Sequence, residues 1–124
     1  MPLLPCTLAE AEQHAERSMF REAYDFYKTS RGLHENAPGT LAASSFDRIA
    51  QFDAWHFIEM IAPRPLLMIA GADADTLAQS EAAIAKAREP KELYVVDGAS
   101  HVDLYDVRVP DVAPKLIEFF TENL

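Results

Sequence analysis

The second half of the chain alternates short apolar runs with alanine-rich helical stretches. "RPLLMIAG", residues 64 to 71, is almost wholly apolar and closes on glycine, and "KELYVVDG", residues 91 to 98, repeats that shape with a polar start. Apolar runs of this length bounded by glycine and proline read as β-strands. Between them "TLAQSEAAIAKAREP" supplies a threonine cap, a helix and a proline stop. Strand, helix, strand predicts a right-handed crossover with parallel strands. The closing "VPDVAPKLIEFFTENL" sets Val112, Leu116, Ile117, Phe119 and Phe120 at helical spacing behind a proline, which predicts a last helix.

The first half has a different pattern. Thr7 and Glu10 form a T-x-x-E box, in which the threonine oxygen caps a free helix N–H and the glutamate reaches back to the threonine N–H. Leu8, Ala15, Met19, Ala23 and Tyr27 then recur at multiples of three or four, predicting one helix from the box to about Lys28. Residues 29 to 45 are rich in glycine, proline, asparagine and serine and read as a loop. Phe46, Ile49, Phe52, Trp55 and Ile58 follow at every third position, the apolar side of two short helical turns that must pack on something larger. Residues 1 to 62 therefore read as a helical, lid-like or cap-like region, and residues 63 to 124 as a strand-helix-strand-helix unit, within a single α/β domain. Trp55 belongs to the core, and His34 and His56 are surface or packing residues.

Parallel strands this apolar are normally covered on both faces and paired on both edges, yet only two strands are evident. The edge of the 66 to 70 strand is then a template for further pairing. A further strand of this chain, a second copy or a different chain is expected to pair there.

With 124 residues, 49% apolar, the chain is long enough for one core and too short for two. A formal charge of −9 repels polyanions, so nucleic acid is not an expected partner. The single cysteine, Cys6, excludes an internal disulfide, and neither C-x-x-C nor H-E-x-x-H occurs. No metal and no cofactor is expected on that basis. The N-terminal "MPLLPCTLAEAEQ" has no basic flank, and no segment approaches the roughly 20 apolar residues of a membrane span. No membrane partner is expected, and a reducing cytoplasm is the expected location.

Candidate chemistry follows from the strands. In open parallel sheets, ligand and catalytic groups gather beyond the strands' carboxyl ends. Two loops lie there: Gly71 to Thr76, with Asp73 and Asp75, and Gly98 to Asp103, with His101. If the strands are neighbours, a carboxylate of the first loop comes within reach of the His101 Nδ1–H. That bond would fix the tautomer and leave Nε2 as a base. Asp103 and Asp106 would cap or solvate the loop behind His101.

"IAPRPLLMIAGADADT" followed by "EPKELYVVDGASHVDLYD" resembles the C-terminal portion of α/β-hydrolases of the dienelactone-hydrolase-like branch. The similarity extends upstream through "EAYDFYKTSRGLHENAP" and "FDAWHFIEMIAPRP". The resemblance implies a partial α/β-hydrolase fold, with a small parallel sheet flanked by helices and completed by another chain. It implies His101 as the triad base and Asp75 as its acid, with Asp73 as the alternative. The G-x-S-x-G elbow, the strands before it and the oxyanion loop are absent from the sequence. Ser44, Ser45, Ser80, Cys6 and Ser100 are poor replacements: two lie in a loop, one in a helix, one near the terminus, and Ser100 adjoins His101 on the same loop. Three expectations result. The chain alone is not an efficient esterase and self-associates, most simply as a homodimer through the 66 to 70 edge. Alternatively, a complementary hydrolase chain supplies the serine in trans. As a third reading, "WHFIEM" and the two strand-end loops form a noncatalytic pocket for a small acyl ligand.

Overall fold

The computed structural model describes residues 2–37 and 39–124. In chain order it contains helices α1 (Leu8–Ala11), α2 (Met19–Tyr27) and α3 (Phe46–Gln51), strand β1 (Leu66–Gly71), helix α4 (Leu77–Lys86), strand β2 (Lys91–Val96) and helix α5 (Val109–Asn123). Short 3-10 turns occupy 43–45, 58–61 and 102–105. The architecture is mixed α/β, with a two-stranded parallel sheet flanked by helices. Two compact units divide it, Met1–Asp53 and Ala54–Leu124.

That boundary lies nine residues before the division at residue 62 read from the sequence. Ile58 is buried against Ala83 and Ala87 of α4, with Trp55, Ile61, Leu66 and Met68 around it. The "WHFIEM" segment therefore belongs to the unit that holds the sheet.

In the first unit the single helix expected between Thr7 and Lys28 is two helices. Ser18 interrupts the amphipathic run because its Oγ accepts a hydrogen bond from the Arg21 N–H at 3.4 Å, starting α2 afresh. Periodicity continued across the break, but a second capping residue decided the local structure. At the first cap, Thr7 Oγ1 accepts from the Glu10 N–H at 3.3 Å. The Glu10 carboxylate, expected at the Thr7 N–H, instead accepts from the Cys6 N–H at 2.7 Å. Phe46, Ile49 and Phe52 are exposed.

In the second unit β1 and β2 run parallel in the register Leu66↔Lys91 through Gly71↔Val96. Period-two alternation sends Leu66 and Met68 toward α4 and Ile69, with Tyr94 and Val96, toward Val112 of α5. Each face of the sheet thus has its own helix. Polar side chains tie the layers: Lys91 Nζ donates to the Ile84 and Ala87 carbonyls at the end of α4, at 2.8 and 2.7 Å. On the other face Lys115 of α5 pairs with Glu92 of β2 at 2.8 Å.

The core these layers enclose is thin. Among the described residues, the buried apolar set is mostly alanine, and the largest completely buried side chain is Val102. Ile117 and Phe120 of α5 remain 66% and 52% exposed. Leu66 to Ile69 of β1 are only half-buried.

Candidate functional site

The site lies where the loops following β1 and β2 meet. Gly71 makes that meeting possible. A Cβ at this position would stand 2.2 Å from the Ala99 carbonyl oxygen and 2.6 Å from that of Ser100, so only glycine lets the end of β1 approach the second loop. Backbone hydrogen bonds fasten the contact, from the Ala72 N–H to Val96 O and from the Asp73 N–H to Ala99 O, both 2.9 Å. Gly98, at φ +63°, turns the chain out of β2 into the histidine loop.

A reciprocal box then shapes that loop. Asp103 N–H donates to Ser100 Oγ at 3.2 Å, and the Ser100 N–H donates to Asp103 Oδ2 at 3.1 Å. This is the capping-box exchange with aspartate in place of glutamate. Ser100 is 1% exposed. Its oxygen thus has a structural task within the loop. Asp103 caps the loop as expected, and the Asp106 carboxylate accepts from the Val107 N–H at 2.6 Å.

Within this frame both ring nitrogens of half-buried His101 have hydroxyl partners. Nδ1 lies 2.9 Å from Thr76 Oγ1, and Nε2 lies 2.8 Å from the Tyr105 hydroxyl. The Tyr105 ring stands edge-on to the imidazole, with centroids 5.5 Å apart and planes at 76°. At Nδ1 the structure places Thr76 where the sequence reading placed the carboxylate of Asp75 or of Asp73. Those two aspartates are exposed residues of the same loop. The two loops are therefore brought together as expected, while the atom that meets the imidazole is different.

Thr76 was expected to cap α4. It precedes Leu77, but its side chain makes no capping hydrogen bond. The hydroxyl turns to the imidazole instead, across 25 positions of sequence. Only a capping residue left unused by its helix would have signalled this, and that is visible in structure alone. Tyr105 was not singled out either. Its position four residues after His101, on the 102–105 turn, is what lets the two side chains meet.

Acyl transfer needs a base, a nucleophile and oxyanion donors. An imidazole is chemically able to serve as the first. Among the described residues no group of three or more His, Cys, Asp or Glu side chains is placed to hold a metal ion. A concavity of about 400 Å³ beside "WHFIEM" is lined by Phe57, Met60, Ile61 and Arg64. The strand-end loops do not line it, so the composite pocket expected from sequence is not joined there. No helix among the described residues is long and apolar enough to cross a membrane.

No family model matches the chain. It is similar to two proteins that are described as uncharacterized. Over 127 residues it is 32% identical to the uncharacterized protein YcjY of Escherichia coli K12, a match spanning all of this chain and 40% of the relative. Over 114 residues it is 40% identical to the uncharacterized protein PA2218 of Pseudomonas aeruginosa, spanning 88% of this chain and 30% of the relative. The crystal structure of PA2218 superimposes with a TM-score of 0.81 at 36% identity, over 90% of this chain and 35% of that one. The chain thus shares the fold of about a third of PA2218 and spans well under half the length of either relative.

Proposed function

We propose that the chain is the histidine-bearing portion of an α/β-hydrolase-like fold and that His101 is the base of an acyl-transfer site completed by further polypeptide. The meeting of the two strand-end loops at an oriented imidazole carries this reading, because that is where open parallel sheets assemble their chemistry. Hydroxyl partners at both nitrogens hold the ring without spending it on a structural carbonyl. The thin core and half-covered β1 agree with a sheet that continues beyond two strands. In both relatives the matching stretch is a minor part of a longer chain.

In the completed site Nε2 takes the proton of a serine hydroxyl as its oxygen attacks an ester carbonyl. It then gives that proton to the departing alkoxide as the acyl C–O bond breaks, and a water repeats the cycle on the acyl-enzyme. The serine elbow and the oxyanion donors come from the completing polypeptide. Alone, the chain turns over esters poorly, because the members of such a site act as a unit. The test is p-nitrophenyl ester turnover after co-expression with a chain carrying a G-x-S-x-G elbow and its preceding strands. The mixture should be active and His101→Ala should abolish that activity, a loss on the order of a thousandfold or more. An inactive mixture, or an active one indifferent to His101→Ala, refutes the reading.

Without a completing chain, we propose that the molecule self-associates through β1. Its second edge has no strand partner among the described residues. Antiparallel pairing of two β1 strands across a two-fold axis would give one four-stranded sheet and cover both edges at once.

A further inference from the structure

We infer that Tyr105 is a removable cap on His101. Its hydroxyl occupies the position at Nε2 that a reacting or ligand hydroxyl takes when the site is in use, while Thr76 holds the ring from the opposite side. The inference deepens the reading of His101 as a base and rests on it for the identity of the group that displaces Tyr105. The capping contact itself stands on geometry alone.

Three observations converge. First, the two bonds are collinear in role: Thr76 at 2.9 Å on Nδ1 and Tyr105 at 2.8 Å on Nε2 saturate both ring nitrogens. Phenol is the more acidic hydroxyl, so the favoured polarity has Tyr105 donating to Nε2 and Nδ1–H donating to Thr76. This is the tautomer a base needs, and it is held before any substrate arrives. Second, the anchors differ in burial. Thr76 is half-buried on the loop tied to Ala99 through the Asp73 N–H, whereas Tyr105 is 45% exposed at the end of a single 3-10 turn. Thr76 is the fixed partner and Tyr105 the one able to swing toward solvent. Third, the Ser100–Asp103 box pins the start of that turn, so rotation of the Tyr105 side chain does not require the His101 backbone to move.

The experiment measures carbethoxylation of His101 by diethylpyrocarbonate, which acylates an unprotonated, accessible imidazole nitrogen. Peptide mapping by mass spectrometry follows it on the intact chain, with exposed His14, His34 and His56 as internal references. Loss of one neutral side-chain hydrogen bond shifts an equilibrium about fivefold. Tyr105→Phe, which keeps the ring and deletes the hydroxyl, should therefore raise the His101 rate about fivefold relative to the references. Thr76→Val, which leaves Nε2 covered, should change it less than about twofold. A Tyr105→Phe rate equal to that of the parent overturns the inference, and so does an equal acceleration in both variants, which would mean general loosening of the loop. No ester and no second chain enters this measurement. A failed cap therefore shows as unchanged carbethoxylation, whereas a failed hydrolase reading shows as absent turnover with the protection intact.

Discussion

Gly71 and Ser100 set the site before His101 can act in it. At Gly71 an added methyl would meet backbone oxygens that have no flexible way out. Gly71→Ala should cost about 2 kcal/mol, the usual scale of overpacking, read as a lowered urea midpoint. It should also detach Thr76 from Nδ1, seen as a changed imidazole tautomer by 15N NMR. Full retention of both would show that the loops do not depend on this approach. Ser100→Ala removes one half of the box around the histidine turn and leaves a buried donor short of its acceptor. A loss of about 1 kcal/mol is expected from chemical denaturation, against no change if the box is idle. The position of the His101 loop beyond the end of β2 was legible, since glycine, strand end and histidine are all local signals. The partner on Nδ1 was not legible. Asp75 and Thr76 are adjacent, and choosing between them depends on where one loop meets another 25 residues away.

The strands and helices of the second half were plain in the pattern because each pairs a long apolar run with its own stop signal. The first half misled where periodicity crossed a second cap, so one expected helix became α1 and α2. Assignment of residues 54 to 62 also escaped the sequence, because Ile58 finds its partners on α4, beyond β1. Between β2 and α5, Lys115 forms ion pairs with Glu92 and Glu118 at 2.8 and 3.4 Å. The hydrogen bond that its ammonium donates to Glu92 is the main cause that holds its pKa above the ordinary 10.5. A raised folded-state value means that the contribution is complete below the unfolded pKa and disappears as pH climbs through the folded one. Stability should therefore fall above about pH 10.5, and Lys115→Met should flatten that fall. Parallel alkaline unfolding curves for parent and variant would show that the clamp contributes nothing.

At the scale of the whole molecule, α5 leaves apolar side chains exposed and β1 is only half-buried. Burying apolar area contributes about 25 cal/mol per Å². In the self-association proposed above a second copy covers these surfaces, and the proposed completing chain would compete with it. The direct measurement is the solution mass by size-exclusion chromatography with light scattering at micromolar concentration. Self-association through β1 gives at least twice the 13.8 kDa of one chain, reduced to one chain's mass by a proline placed at Leu67, whose N–H alternates away from β2 toward the pairing edge. A stable 13.8 kDa particle that unfolds cooperatively by itself would show that two strands suffice and would contradict the account.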